Sequence, residues 1–208
     1  MNNFREELLA CLGKEAFEKL GKIKTGIAGA GGLGSNCAAF LVRSGFRKLK
    51  IYDFDKVSYS NLNRQFYFYD QVGHWKVDAL RVNLSRIDPD LELETFNERV
   101  TNANVSGAFA DCDIVIEAFD RAENKKMLTE AYMNSGKLYI SASGIAGCGD
   151  SDNITIKKIH DKFFLIGDGV SEASAALPPF APRVNIAAAK EADIALSWAL
   201  RKGTAQHG

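Results

Sequence analysis

The sequence feature that most constrains the fold is a glycine cluster, Gly29-x-Gly31-x-x-Gly34, that directly follows a short apolar run starting at Ile23. The run before the cluster is typical of a strand, and residues 35–43 after it have helical spacing. Glycines in such a turn let backbone N–H groups approach a phosphate at the helix N-terminus. The cluster predicts a strand–turn–helix unit that binds a nucleotide, and a tight turn without a ligand is the alternative.

The alternation of strand and helix patterns continues along the chain. The apolar pattern predicts strands at residues 48–52, 91–96, 113–118 and 138–142, and helices at residues 4–20, 77–87, 121–134 and 186–200. Two late strands, at residues 153–159 and 162–165, precede a predicted loop over residues 166–183. This order is typical of a parallel sheet with helices on both faces. We therefore predict an α/β fold, a Rossmann-like, doubly wound and mostly parallel sheet with a C-terminal antiparallel extension.

Composition limits the class of protein. The 208 residues include 26 Lys and Arg and 26 Asp and Glu, so the formal net charge is zero. A balanced charge does not indicate a general nucleic-acid or anionic-membrane surface. No apolar stretch approaches the ~18 residues of a membrane span, and the N-terminus is unlike a signal peptide. The four cysteines lack CxxC spacing, so we expect no zinc and a reducing, cytoplasmic location.

Charged residues after the glycine cluster distinguish between nucleotides. Asp53 ends the second predicted strand, where a carboxylate accepts hydrogen bonds from ribose hydroxyls. Arg64 and Lys76 follow within 25 residues of Asp53. Two cations beside a glycine loop suit a triphosphate better than a dinucleotide. The pattern favours ATP over NAD, although a solvated aspartate and two surface cations would have the same spacing.

The run DFDKVSYSNLNRQFYF, which begins at Asp53, followed by GHWKVDAL, resembles the signature of the ThiF/HesA/MoeB family of ubiquitin-activating-enzyme-like adenylyltransferases. The resemblance covers residues 23–143 and is strongest to the short ThiF-like proteins of thiamine biosynthesis. It implies one ThiF-type ATP-binding domain over residues 1–208. Its parts are an N-terminal helix at 4–20, a nucleotide-binding core at 23–143, and C-terminal strands and a helix at 153–202.

The resemblance also implies roles for individual residues. The loop glycines are implied to bind the nucleotide, and these are Gly29, Gly31, Gly32 and Gly34. Asp53 is implied to hold the ribose. The triphosphate is implied to be bound by the side chains of Asn61, Arg64 and Lys76. Asp120 matches the family's essential Mg²⁺-binding aspartate, in EAFDRAEN where relatives usually have D-x-x-D-N. Glu117 and Arg121 depart from that pattern. Arg5 is implied to reach the nucleotide site of a partner subunit.

The implied reaction is ATP-dependent adenylylation of the C-terminal Gly-Gly carboxylate of a ubiquitin-like sulfur carrier, with release of pyrophosphate. The favoured carrier is of the ThiS type, in thiamine thiazole synthesis, acting before thiocarboxylate formation. A homodimer and a sulfur donor protein are expected partners. The alternatives are a molybdopterin-type carrier, a small-molecule or tRNA-linked carboxylate, an NAD-dependent oxidoreductase, and a carrier-binding module without catalysis. Cys148 lies in a predicted loop, and an incidental role is favoured for it over a catalytic one.

Overall fold

The computed structural model describes residues 1–201 and contains one seven-stranded sheet in the order β3-β2-β1-β4-β5-β7-β6. The strands are β1 (Lys24–Ala28), β2 (Lys48–Tyr52), β3 (Glu92–Phe96), β4 (Ile114–Glu117), β5 (Leu138–Ala142), β6 (Thr155–His160) and β7 (Phe163–Gly167). All neighbouring strands are parallel except β6 and β7, which are antiparallel. The predicted fold class, including the C-terminal antiparallel pair, is confirmed.

Helices cover both faces of the sheet. They are α1 (Asn3–Leu12), α2 (Lys14–Lys22), α3 (Gly32–Arg43), α4 (Lys76–Ser85), α5 (Val105–Ala108), α6 (Ala122–Tyr132) and α7 (Ala181–Arg201). Successive strand residues point to opposite faces. Ile27 and Ile116 therefore join the core under α3 and α7, whereas Ala28 and Val115 join a second core under α5 and α6. Burial on both faces explains why these strands are continuously apolar.

The bounds of two predicted elements need correction, and one helix was not predicted. The helix predicted over residues 4–20 is two helices, because Gly13 has φ +77° and its N–H closes the end of α1 on the Leu9 carbonyl. The loop predicted over 166–183 is shorter, because β7 extends to Gly167 and α7 begins at Ala181. The short helix α5 was not predicted, since four residues are too few to show helical periodicity. The end of the predicted C-terminal part, at residue 202, and the last residues of the predicted domain lie outside the described chain.

Loops at the carboxyl end of the sheet are held by a buried arginine near the start of α7. Arg183 is 5% exposed, and its guanidinium donates to Asp168 Oδ2 at 2.6 Å and to the Gly149 carbonyl at 2.8 Å. Asp168 in turn accepts the backbone N–H groups of Val170 and Ser171. Within residues 1–201, no helix is long and apolar enough to cross a membrane.

Helix α7 carries one fully buried carboxylate, that of Glu191. Neither of its oxygens has a hydrogen-bond partner. Burial raises the pKa of Glu191 well above the usual 4.5, and the nearby Glu117 charge adds to this, while Lys125 and the Cys37 thiol act the other way. The folded protein therefore retains this proton at pH values where the unfolded chain has lost it.

We expect Glu191→Gln to remove a pH dependence of stability. The folded protein binds more protons than the unfolded chain above the usual pKa, so the free energy of unfolding falls as pH rises from about 4.5 toward the folded pKa. Thermal unfolding at pH 5 and pH 8 measures this. The melting temperature of the variant should exceed that of the wild type at pH 8, with a smaller difference at pH 5. The control is Glu130→Gln, at a mostly exposed glutamate of α6, and an equal offset at both pH values would contradict the prediction.

Candidate nucleotide-binding site

The strands β1, β2, β4 and β5 end at one edge of the sheet, where they surround a cavity of about 810 Å³. Ligands of open parallel sheets bind at this edge, outside the carboxyl ends of the strands. Seven of the ten residues predicted for the site line the cavity: Gly29, Gly31, Gly32, Asp53, Arg64, Lys76 and Asp120. Gly29 and Asp120 therefore line the same cavity although they are 91 positions apart in sequence.

The glycine loop connects β1 to α3, and its glycines are required for different reasons. Gly29 has φ +106°, a conformation that side chains rarely adopt. A Cβ on Gly34 would lie 1.9 Å from the Gly29 carbonyl oxygen, so Gly34 allows the helix to pack on the turn. A Cβ on Gly31 would meet nothing closer than Gln65 Nε2 at 3.9 Å. Gly31 therefore keeps space free on the cavity side, and Gly34 serves the fold.

This difference predicts that two alanine substitutions affect different properties, one the stability of the fold and the other the binding of ATP. Gly34→Ala should lower the free energy of unfolding by about 2–3 kcal/mol, because backbone atoms that cannot move occupy the Cβ position. Gly31→Ala should leave unfolding nearly unchanged and weaken ATP binding by about tenfold or more, because a methyl group blocks close approach of phosphate to the backbone. Urea unfolding and ATP titration of both variants provide the test. Equal ATP affinity of Gly31→Ala and wild type would contradict the assignment.

Asp53 follows the end of β2 and lies against the glycine loop. Its Oδ2 accepts the Ala30 N–H at 2.7 Å, and its Oδ1 accepts the Asp55 N–H at 2.8 Å. Burial raises the pKa of Asp53, while the Lys76 charge and these two N–H groups oppose that rise. The carboxylate thus lines the cavity in a fixed orientation, where its free lone pairs are available to hydroxyl donors.

The two predicted cations are Arg64, in the middle of the segment between β2 and α4, and Lys76, the first residue of α4. Hydrogen bonds of 2.9 Å join Val57 to both Gly73 and His74, and the Lys76 N–H donates to the Asp55 carbonyl at 2.9 Å. These bonds close the loop that carries Arg64, so both cations reach the same cavity. Lys76 is 8% exposed, and its ammonium is 2.9 Å from Asp55 Oδ2.

The Arg64 side chain is held by its own loop. Its guanidinium donates to the Ser60 carbonyl at 3.0 Å and to Asn63 Oδ1 at 2.8 Å. Neither partner carries a charge, and no ion pair joins Arg64 to another residue of the described range 1–201. Its positive charge is therefore available to an anion in the cavity.

Asp120 lines the cavity just beyond β4, in an exposed position. Among residues 1–201, no group of three His, Cys, Asp or Glu side chains is placed to hold a metal ion. Mg²⁺ is commonly bound through one or two carboxylates plus the phosphates of a nucleotide. One exposed carboxylate beside a phosphate-binding loop fits that mode, so Asp120 is a suitable ligand for nucleotide-bound Mg²⁺.

Three residues predicted for the site do not line the cavity. Gly34 is buried beneath the glycine loop. The side chain of Asn61 accepts the Ser58 N–H at 3.1 Å and caps a turn. The guanidinium of Arg5 is paired with Asp88, at 2.9 Å between Nε and Oδ2. The contribution of Arg5 to a partner subunit stays a prediction.

The cavity also contains residues that the sequence did not single out. Glu98 and Arg99 follow the end of β3, and the Arg99 guanidinium lies 4.0 Å from the centre of the Phe54 ring. Their position after a parallel strand is a pattern that could have identified them. Residues 171–174 form another wall and come from a loop without a recognisable motif. Cys148 is exposed and is not part of the lining.

Comparisons with known proteins agree with this geometry. The ThiF family profile matches residues 5–162. Ubiquitin-like modifier-activating enzyme 5 of Drosophila sechellia is 34% identical over 182 residues, which cover 82% of this chain and 43% of that protein. tRNA threonylcarbamoyladenosine dehydratase 2 of Saccharomyces cerevisiae is 34% identical over 149 residues, covering 70% of this chain and 33% of that protein.

Solved structures show the same fold. Escherichia coli tRNA N6-threonylcarbamoyladenosine dehydratase (TcdA) in complex with ATP superposes with a TM-score of 0.87 at 19% identity, over 97% of this chain and 96% of that chain. Escherichia coli MccB with AMPCPP and MccA gives a TM-score of 0.69 at 19% identity, over 95% and 63%. The chain spans less than half the length of the curated relatives named above. With a family profile that covers most of its residues, the chain belongs to the ThiF family.

Proposed function

We propose that the chain uses ATP to adenylylate a carboxylate and releases pyrophosphate. The observation that carries the proposal is that one cavity joins the glycine loop, two cations and the carboxylate of Asp120. Family membership and the ATP complex of the TcdA structure support the choice of nucleotide. The paired cations, Arg64 and Lys76, match a triphosphate, whereas an NAD-dependent oxidoreductase has no comparable need for them.

The proposed chemistry follows from these charges. An oxygen of the acceptor carboxylate attacks the α-phosphorus, and the bond from that phosphorus to the leaving pyrophosphate breaks. The acceptor is already ionised at neutral pH, so no general base is required. Negative charge increases on the phosphate oxygens and on pyrophosphate, where Arg64, Lys76 and the N–H groups of the glycine loop stabilise it. Mg²⁺ held by Asp120 would supply further charge neutralisation.

Our first candidate acceptor is the C-terminal Gly-Gly of a ubiquitin-like protein. Relatives at 29–34% identity are named ubiquitin-like modifier-activating enzyme 5, and the MccB structure contains MccA. The cavity wall beyond Asp120 has small residues, Ser143, Gly144, Ala146 and Ser171 among them. A tail of two glycines suits a passage of this kind. A ThiS-type sulfur carrier in thiamine synthesis is the finer form of this proposal.

The second candidate is a tRNA-linked carboxylate. It is favoured by the extent of the likeness to TcdA, which covers 97% of this chain and 96% of that structure. The yeast dehydratase, at 34% identity over 149 residues, supports the same assignment. The zero net charge of the chain is less favourable to a nucleic-acid partner.

The proposal includes a homodimer in which Arg5 of one subunit acts at the nucleotide site of the other. Within one chain Arg5 is paired with Asp88 at 2.9 Å. That pair has to open for Arg5 to reach a partner subunit. Formation of the proposed dimer would therefore break the Arg5–Asp88 ion pair.

ATP–pyrophosphate exchange with Mg²⁺ tests the proposed function. The acceptor arms are a sulfur carrier ending in Gly-Gly, the same carrier without its last two residues, threonylcarbamoyladenosine-containing tRNA, and no acceptor. We expect exchange only with the intact carrier, because the reverse reaction requires an acyl-adenylate. Exchange with the tRNA alone would select the second candidate. ATP binding without exchange in any arm would select a binding module.

A thermal-shift measurement separates the remaining alternative, an NAD-dependent enzyme. A ligand that binds the folded state stabilises it by about 2.7 kcal/mol at 100 times its Kd. We expect ATP to raise the melting temperature and NAD to leave it unchanged. Stabilisation by NAD and not by ATP would overturn the proposal.

A further inference from the structure

Next to Asp120 lies a charged cluster that the proposed reaction does not use. Glu117, the last residue of β4, has 0% exposure. Its carboxylate accepts the Phe119 N–H at 2.7 Å and the Ser141 hydroxyl at 2.6 Å. The Lys125 ammonium donates to both Glu117 oxygens, at 3.1 and 3.0 Å. Each Glu117 oxygen therefore accepts two hydrogen bonds from the protein, so Glu117 is not available to bind a metal ion or substrate in the cavity.

Lys125 connects two strand ends. It lies on α6, and its ammonium also donates to the carbonyl of Ala142, the last residue of β5, at 3.0 Å. An ammonium has three N–H donors, and the Glu117 carboxylate and the Ala142 carbonyl use all three. Lys125 remains part of the cavity lining, with 26% of its side chain exposed.

These bonds fix two segments that line the cavity. The Phe119 N–H bond to Glu117 shapes the turn that carries Asp120. The bond from Lys125 to Ala142 fixes the start of another part of the cavity wall, residues 143–146. One ion pair thus links the turn that carries Asp120 to the wall segment 143–146.

We propose that Glu117 and Lys125 are a positioning pair, which holds Asp120 and the wall at 143–146 in the arrangement required for adenylyl transfer. The kinetic part of this inference rests on the proposed function. Enzymes whose reacting groups are misplaced by about 1 Å lose roughly 10²-fold in rate. The pair also accounts for the departure of EAFD from the family pattern, since a glutamate at position 117 reaches both Ser141 and Lys125.

The test compares variants of Lys125 with a matched neighbour. Lys125→Met removes the ammonium, and Lys125→Arg keeps a cation. The control, Lys126→Met, removes an exposed ammonium at the next position, 3.8 Å from Glu130. Because Lys125→Met leaves a buried carboxylate without its partner, the double variant Glu117→Gln/Lys125→Met removes both charges and protects against loss of folding.

Two readouts are needed. Hydrogen exchange of the backbone reports positioning without catalysis, and ATP–pyrophosphate exchange reports the reaction. In Lys125→Met we expect faster hydrogen exchange in both peptides, 117–124 and 142–147, and a fall of about 30- to 100-fold in kcat with KM for ATP changed by less than about threefold. The double variant should show the same kinetic loss. Lys125→Arg should recover to within about fivefold of wild type, and Lys126→Met should equal wild type.

The outcomes separate this inference from the proposed function. Unchanged hydrogen exchange in either peptide of Lys125→Met overturns the positioning pair, as does a loss that falls on KM for ATP and leaves kcat intact. Absence of ATP–pyrophosphate exchange in the wild type with every acceptor overturns the proposed function instead. Hydrogen exchange of the two peptides then still decides whether the ion pair couples the two segments.

Discussion

Replacing Asp120 by alanine should reduce ATP–pyrophosphate exchange by about 10²- to 10³-fold, the usual cost of losing one electrostatic group that stabilises a transition state. Asp120 is the carboxylate proposed to hold Mg²⁺ at the phosphates. Its side chain is exposed, and no ion pair joins it to another residue of the described range 1–201. The melting temperature should therefore change by less than about 2 °C. Exchange rates at saturating ATP and acceptor, with thermal unfolding alongside, measure both effects.

The matched control for this substitution is Glu123→Ala. Glu123 is an exposed carboxylate three residues further along that does not line the cavity. Its removal changes the local charge by the same amount as Asp120→Ala. Equal rates for the two variants would show that Asp120 acts only through general charge, and a near-normal rate for Asp120→Ala would remove it from the site.

Lys76→Ala should have an effect of similar size and should also weaken ATP binding. The Lys76 ammonium is nearly buried and fixed 2.9 Å from Asp55, so its position at the cavity is set before the nucleotide arrives. Loss of a fixed charge of this type costs about 10²- to 10³-fold in rate. Asp55 is 51% exposed, so it is solvated after the substitution and the fold should be retained. Calorimetric titration with ATP and exchange kinetics measure the two effects.

Lys56→Ala is the control for that variant. Lys56 is an exposed cation on the same segment, with its ammonium 4.7 Å from the Trp75 ring centre and outside the cavity. Its loss should leave ATP affinity within about twofold of wild type. If Lys56→Ala and Lys76→Ala weaken binding equally, the effect is one of net charge and Lys76 has no specific role.

The parts of the fold that sequence predicted best are those with repeated local patterns. Strand β2 matches its predicted bounds, because apolar residues alternate over Lys48–Tyr52 and a charged residue follows. The glycine loop and Asp53 were predictable since their chemistry depends on a fixed position after a strand. Gly13 was different: the helical pattern continues across it, and only the positive φ reveals that the helix ends there.

The parts of the candidate site that were not predicted depend on contacts between distant segments. Glu117 and Lys125 are ordinary charged residues in sequence, and their pairing requires α6 to pack over the ends of β4 and β5. The wall at residues 171–174 comes from a loop held by the Arg183–Asp168 pair. No local pattern encodes such contacts, because the two partners are distant in sequence and come together only when the chain folds.

The strand order has a consequence for how the chain acquires its structure during synthesis. The inner strand β1 lies between β2 and β4, so one of its two neighbours is separated from it by more than 85 residues. Until the ribosome has delivered residue 117, that edge of β1 has no partner, and unpaired edges are templates for association with other chains. We expect nascent chains to form a compact folded unit only after β4 has emerged from the ribosome. We expect any fragment that ends before β4 to form an aggregation-prone intermediate.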